Sequence, residues 1–481
     1  MNHGQYVITS HSFQHKNFHQ RGFCGNYAIF TGPGSEYEWV QTDRMEIHLL
    51  GSLFDWQNTS AGNLEIIQNA TKKNTVEEIL TYIDQCCGHF VLLIRFDNNI
   101  YLLHDAAGQK EIYYDTSITT FASQPNLIAK VITPEPHSDP DAIDYYQSSH
   151  FQRDKLFIGE TTHWQNIKHL LPNHRISIHN RRLERFFPTI ALPIATANEI
   201  VPKVAAMLRG FIHSLANRYQ CKLAVTAGYD SRVLFLASLG IPCEYYVAKH
   251  HNMGDTHHDI TIPTKLTSIY QKPFSVLEGR QKKTKFTKEQ NDRQLHDLDY
   301  PRLLYGGEME PGIVHINGNI SEIARNYYGY HRKANASDLS YLSGHSTHPF
   351  PVQVYKIWLQ QRRLFTEMGY HYLDLYYWEQ KMGIWAAKGK SESTALGKMV
   401  ISPFNSRSVL TLLLSSPRSH RDSHFNKLYN ELIRQLSNGH PEVIALPVNP
   451  DRKQDTIRAM KRFKVYNLYR HIGVKTRRLL G

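Results

Sequence analysis

Residues Thr226, Ala227, Gly228, Tyr229, Asp230 and Ser231 gather two aliphatic hydroxyls, a phenol, a glycine and a carboxylate between an apolar run and a second, helix-like apolar run. A strand that ends in small residues and turns directly into a helix exposes backbone N–H groups at the helix N-terminus, a favourable place for phosphate. Thr226 and Ser231 add hydroxyl donors, and Gly228 lets the backbone approach an anion closely. Asp230 is the odd member: beside a phosphate it is repelled unless a cation lies between them, which points to Mg²⁺. The plainer alternative is a tight turn in which Asp230 or Ser231 caps the helix. The sequence contains no GxxxxGK(S/T) pattern, so this is not a Walker A loop.

The elements that must position this turn follow from the flanking patterns. Lys222 to Thr226 reads as a strand, Ser231 to Leu239 as a helix and "CEYYVAKH" as a second strand, the start of a βαβ unit that places ligands at the carboxyl ends of its strands. The first third is strand-rich. "HFVLLIRFDNNIYLLHD" (89 to 105) predicts a hairpin turning at Asp97-Asn98-Asn99. Before it, Val76, Ile79, Leu80, Ile83 and Cys87 recur at helical intervals and stop at Gly88. Both patterns break in "FFPTIALPIATANE" (186 to 199), so the expected domains are 1–190 and 195–481.

Length and composition bound the rest. A chain of 481 residues exceeds one typical core, and 41% hydrophobic with 20% charged residues is ordinary for a globular protein. The formal charge of +12 favours an anionic partner without choosing among nucleic acid, a phosphate-bearing substrate and an acidic lipid surface. Cys24, Cys86, Cys87, Cys221 and Cys243 form an odd count with no CxxC pair, against a disulfide framework or structural zinc and in favour of a reducing compartment. "MNHGQYVITSHSFQHKN" lacks the apolar core of a signal peptide, and no run reaches the roughly 18 apolar residues of a membrane span. The expectation is a cytoplasmic protein.

"TAGYDS" resembles the pyrophosphate-binding loop, usually SGGxDS, of the asparagine-synthetase-like ATP pyrophosphatases, with Ala227 in place of the first glycine. "VHINGNISEIARNYYGY" (314 to 330) resembles that family's second metal and nucleotide loop: Gly318 and Glu322 fall in place, while Ser321 stands where the family has aspartate. "ISPFNSR" (401 to 407) resembles the segment that packs beside the site, and the stretch ending "ALPVNPDRK" resembles the closing region whose lysine, here Lys453, stabilises the adenylation transition state. In the front half, "GHFVLLIRFDNNIYLLHDAAGQKEIYYD" resembles part of the N-terminal-nucleophile glutaminase fold, so the resemblance runs across nearly the whole chain.

This resemblance implies an α+β N-terminal-nucleophile-like sandwich followed by an α/β domain with a parallel sheet, adenine nucleotide α-hydrolase-like, and a helical C-terminal part. It implies ATP- and Mg²⁺-dependent amide formation: a substrate carboxylate becomes an acyl-adenylate and an amine or ammonia then takes the acyl group. In that reading the 226–231 turn holds pyrophosphate, Asp230 and Glu322 bind Mg²⁺, and Lys453 and Glu322 are the catalytic side chains. The carboxylate could belong to a small molecule, a sugar acid or a peptide.

Glutamine as ammonia source is not expected. The required cysteine must be the first residue of the mature chain, whereas Asn2 follows Met1, and "LLGSLFDWQN" stands where the glutamine-holding segment belongs. "GFCGNYAIF" resembles a mature start, but only cleavage after Phe23 would free Cys24; the expected role of Cys24 is a buried strand residue, in a retained structural half like that of lasso-peptide cyclases and β-lactam-type synthetases. The histidines of "KHHNMGDTHHD" (249 to 259) read as a solvated or substrate-lining loop, and the carboxylates of "LHDLDYPRL" have no fixed geometry. The C-terminal 30 residues, with Ile457, Met460 and Phe463 at helical spacing, read either as a plain solvated helix or as a basic amphipathic one that meets an anionic substrate, RNA or, as a peripheral contact, a membrane. Two alternatives stand beside the ligase: an RNA-modifying ATP pyrophosphatase, though the front half does not resemble an RNA-binding module and nucleic acid is not the expected partner, and a non-catalytic remnant of the family.

Overall fold

The computed structural model describes residues 3–250, 253–278, 280–282, 302–304, 311–328 and 333–450, with positions 456, 457, 460, 469, 472 and 476 beyond them. Among the described residues it is a mixed α/β structure with two six-stranded antiparallel sheets, a five-stranded parallel sheet and a two-stranded antiparallel pair. The chain begins with β1 (Tyr6–Thr9), β2 (His19–Cys24), β3 (Tyr27–Thr31), β4 (Tyr37–Gln41) and β5 (Met45–Phe54). Helices α1 (Asn63–Ala70) and α2 (Val76–Ile83) then lead to β6 (Cys87–Phe96), β7 (Asn99–His104), β8 (Tyr113–Asp115) and β9 (Thr120–Ala122). After α3 (Pro125–Ile128), α4 (Pro140–Gln147) and α5 (Ser149–Asp154) come β10 (Ile167–His169), β11 (His174–Ser177) and β12 (Arg182–Arg185).

These strands form two six-stranded sheets, ordered β10-β8-β9-β1-β3-β2 and β12-β11-β7-β6-β5-β4. Alternation decides how they stack. Along β6 the side chains of Val91 and Leu93 join Ile8, Ile29 and Phe121 of the other sheet in one apolar cluster, while Leu92 and Ile94 join Ile66, Ile79 and Ile83 of α1 and α2 in another. The outer face of the first sheet, with Val7, Tyr113 and Ile167, packs with Leu127, Tyr145 and Phe151 of α3, α4 and α5. The result is a helix–sheet–sheet–helix sandwich.

The second half opens with α6 (Ala197–Ala216), whose Thr196–Glu199 capping box fixes its start. Then follow β13 (Gln220–Ala224), α7 (Tyr229–Ala237), β14 (Cys243–Lys249), α8 (His258–Ile269), β15 (Phe274–Glu278), the short pair β16 (Arg280–Lys282) and β17 (Arg302–Leu304), β18 (Ile313–Ile316) and β19 (Met399–Ile401). The parallel sheet has the order β15-β14-β13-β18-β19, so strand order reverses between β13 and β18. Helices predominate between β18 and β19 and after β19, including a ten-residue π-helical stretch at Tyr377–Ala386.

The hairpin expected at 97–99 is present, with Asp97 at φ 50° turning β6 into β7. The helix expected to run to Gly88 ends instead at Ile83, capped by Asp84, because Cys87 and Gly88 already belong to β6. A side chain at Gly88 would lie 2.1 Å from the Ser52 carbonyl oxygen, so glycine marks close strand contact there rather than a helix stop. The parts of the chain on either side of 186–199 share a continuous core and buried polar ties. Asn405 donates to Gly88 O at 2.7 Å and to Asp105 Oδ1 at 2.8 Å, and Arg185 forms a bidentate pair with the buried Glu379 at 2.6 and 2.9 Å. Among the described residues no helix is long and apolar enough to cross a membrane.

Candidate functional site: the 226–231 turn at the sheet's switch point

Parallel sheets bind ligands outside the carboxyl ends of their strands where strand order reverses, and here that crevice lies between β13 and β18. Two loops meet in it. The first is the 226–231 turn: Thr226 N–H donates to Ser231 Oγ at 3.0 Å, and the two hydroxyls lie 3.1 Å apart, which folds the chain tightly into α7. Gly228 is the N-cap of α7 with extended backbone, φ −75° and ψ 168°, so neither Asp230 nor Ser231 takes that position. The buried Ala227 also has no need of positive φ, which removes the conformational objection to alanine there.

The second loop follows β18. It brings Gly318 so close to α7 that an added Cβ would lie 2.5 Å from Asp230 Cβ and 3.2 Å from Ser231 N. Ile320, fully buried, adopts φ 81°, a conformation that a β-branched residue holds only when its surroundings enforce it. This packing brings Asp230 and Glu322 together as the sequence suggests, but around an arginine. Arg325 lies 3.0 Å from Asp230 Oδ2 and 3.3 Å from Glu322 Oε1, and Ser321 Oγ donates to Asp230 Oδ1 in a short hydrogen bond. Burial works against the Arg325 charge, but Asp230 and Glu322 outweigh it and hold the guanidinium protonated above its ordinary range. Burial in turn pushes the Glu322 carboxyl up, with Arg325 opposing.

The fit to Mg²⁺ can be judged on these contacts. A hydrated divalent ion needs carboxylate oxygens free to face it in near-octahedral geometry. Both oxygens of Asp230 and one of Glu322 are engaged by Arg325 and Ser321, so a metal at the expected place would have to displace the guanidinium. As arranged, the pair fits an arginine and not the expected ion.

Two groups that sequence reasoning did not single out complete the turn. Asp259, in the first turn of α8, accepts from Ala227 N–H at 2.8 Å, so the histidine-rich segment lies beside the turn through its aspartate. Arg232 in α7 is buried and donates to Leu446 O at 2.8 Å and Pro447 O at 2.7 Å, while Asn449 N–H donates to Ala227 O at 3.2 Å. The stretch before Lys453 is thereby fastened to the turn; Lys453 itself, Arg452, Phe463 and the carboxylates Asp297 and Asp299 lie outside the described residues.

Behind the second loop is a cavity of about 210 Å³ lined by Gln109, Asn317, Asn319, Ile320, Trp385 and Lys390, among others. Lys390 is buried and donates to Val400 O; burial pulls its ammonium down to about 7, with Asp105 opposing. The front half supplies one wall: Asp105 accepts from Gln109 N at 2.8 Å and Lys110 N at 2.9 Å, and Gln109 reaches Met382 O at 3.2 Å. Nothing in the local sequence distinguishes Lys390 from the nearby Lys388.

Cys24 is fully buried at the end of β2, its thiol pushed up to about 12 by burial. Cleavage after Phe23 would remove β1, which pairs with both β3 and β9 inside its sheet.

No family model and no curated protein matches the chain. Among solved structures it is similar to the allosteric regulatory enzyme of purine biosynthesis, at 10% identity and TM-score 0.24 over 65% of this chain and 68% of that one. It is also similar to the B. subtilis glutamine phosphoribosylpyrophosphate amidotransferase complexed with ADP and GMP, at 12% identity and TM-score 0.20 over 53% of this chain and 62% of that one. Likeness this slight carries no argument about chemistry.

Proposed function

We propose that the chain is an ATP-dependent, AMP-forming amide ligase. A carboxylate oxygen of the substrate attacks the α-phosphorus of ATP, the bond to the bridging oxygen of the β-phosphate breaks, and pyrophosphate leaves. An amine or ammonia then attacks the acyl carbon, AMP departs with the C–O electron pair, and the amine gives up a proton.

The observation that carries this reading is the meeting of the 226–231 turn with the 317–322 loop at the point where strand order reverses. The first turn of α7 and Ser231 would hold the departing pyrophosphate, since a helix N-terminus stabilises an anion most where charge is growing. Lys453 is four residues beyond Asn449, whose N–H is bonded to Ala227 O. In this reading its ammonium would neutralise the charge developing at the α-phosphate. The cavity beside Lys390 would take the carboxylate or the amine. A protein-bound Mg²⁺ forms no part of this mechanism.

ATP–pyrophosphate exchange measured against a panel of amino acids, sugar acids and peptides tests the proposal. Exchange that depends on one class of carboxylate supports it. Failure of every class with a protein that binds ATP would leave a non-catalytic remnant.

A further inference from the structure

Asp230 stands in the first turn of α7 and Glu322 in the short 3-10 turn Ser321–Ala324 after β18, and their side chains are only 15% and 20% exposed. Two carboxylates in such a place repel each other and need a cation. Arg325, 16% exposed, stands within ion-pair distance of both, and Ser321 supplies a hydroxyl to the remaining oxygen of Asp230. Oε2 of Glu322 and Nε of Arg325 are buried and have no hydrogen-bond partner among the described residues. The planar guanidinium suits this role, because its two terminal nitrogens can serve two carboxylates at once.

We propose that Arg325 is a built-in cation that takes the place of a divalent metal between Asp230 and Glu322, so that the site binds no metal of its own and becomes a metal site when the arginine is removed. The consequence for ATP rests on the phosphate-site reading: nucleotide binding should not require a protein-bound metal. The consequence for the metal itself does not rest on it.

The test is titration of the nucleotide-free full chain with Mn²⁺, reading free Mn²⁺ by electron paramagnetic resonance. In the wild type, Asp230→Asn should leave the isotherm unchanged, including any binding at His257, His258 and Asp259, which lie together near α8. Arg325→Ala should add one site per chain that the wild type lacks, and Arg325→Ala with Asp230→Asn should lose it again. A wild-type site abolished by Asp230→Asn would overturn the proposal, as would a folded Arg325→Ala protein that gains none. Should Arg325→Ala fail to fold, the wild-type and Asp230→Asn isotherms still decide the first half, and Arg325→Gln, which keeps the bulk without the charge, decides the second. A wild type that binds no ATP, with these isotherms as expected, would defeat the ligase reading and leave the arginine assignment standing.

Discussion

Replacing Gly318 by alanine isolates the contact on which the site depends. The added methyl carbon would sit 2.5 Å from Asp230 Cβ, 3.1 Å from Asp230 C and 3.2 Å from Ser231 N, and backbone atoms cannot rotate away from it. Reaching an ordinary carbon contact of about 3.5 Å requires the loop to retreat by about 1 Å. Overpacking of that kind costs about 1–3 kcal/mol. The retreat carries Ser321 and Glu322 away from α7, opening the hydrogen bond to Asp230 and the bridge through Arg325. Misplacement by about 1 Å lowers the rate of a positioned reaction by about 10²-fold. Gly318→Ala should therefore lower the urea midpoint and, in the exchange assay, reduce turnover by that order. Gly254→Ala is the control, being free of neighbours within 4 Å and of positive φ, and should change stability by less than about 0.5 kcal/mol. Wild-type stability and exchange in Gly318→Ala would refute the close-approach argument.

Lys390 titrates near 7 in the fold against about 10.4 in an unfolded chain, so between these values the unfolded state binds more protons and stability rises with pH. Urea midpoints of the wild type should climb from pH 7 to 9 relative to Lys390→Met; parallel curves would contradict the burial of the amine. Glu379 accepts from Arg185, from Asn173 at 3.0 Å and from Trp358 at 2.8 Å, and although burial pushes its carboxyl up, Arg185 outweighs this and holds it below the ordinary range. Its contribution is present above the unfolded carboxyl pKa and lost as pH falls through the depressed folded value. At neutral pH Glu379→Gln should cost about 3–5 kcal/mol by urea denaturation, and a loss under about 1 kcal/mol would mark the pair as solvated. A chain beginning at Cys24 lacks a strand from inside its sheet and should be insoluble on expression; a soluble chain that hydrolyses glutamine would restore an active N-terminal half.

The tight turn at 226–231 was legible in the sequence because its cues are local: small residues, the hydroxyls of Thr226 and Ser231 and a change of period between 222 and 239. Helix ends were less so. The repeat through Val76, Ile79 and Ile83 continues formally to Cys87, and only pairing with β5 makes Cys87 a strand residue. The partner of Asp230 is hidden from sequence for a related reason. A carboxylate beside a phosphate turn asks for a cation, but sequence spacing cannot say whether a metal or an arginine 95 residues away supplies it. Asp259 and Lys390 were out of reach altogether, since their positions depend on how α8 and the helix at Ala387–Ala395 pack against distant strands. An isolated turn offers no sign of either.

The central claim is that the first turn of α7 binds the phosphates of ATP, and calorimetric titration of ATP into the wild type and Gly228→Asp tests it most directly. Among the described residues a Cβ at position 228 has no heavy atom nearer than 3.5 Å, and the extended backbone of this N-cap suits aspartate, so the variant should fold at least as well as the wild type. Its carboxylate would occupy the place of the anion. The account predicts one ATP per wild-type chain, displaced by inorganic pyrophosphate, and affinity weaker by at least about 10²-fold in Gly228→Asp. Equal ATP affinity in the two proteins would contradict it.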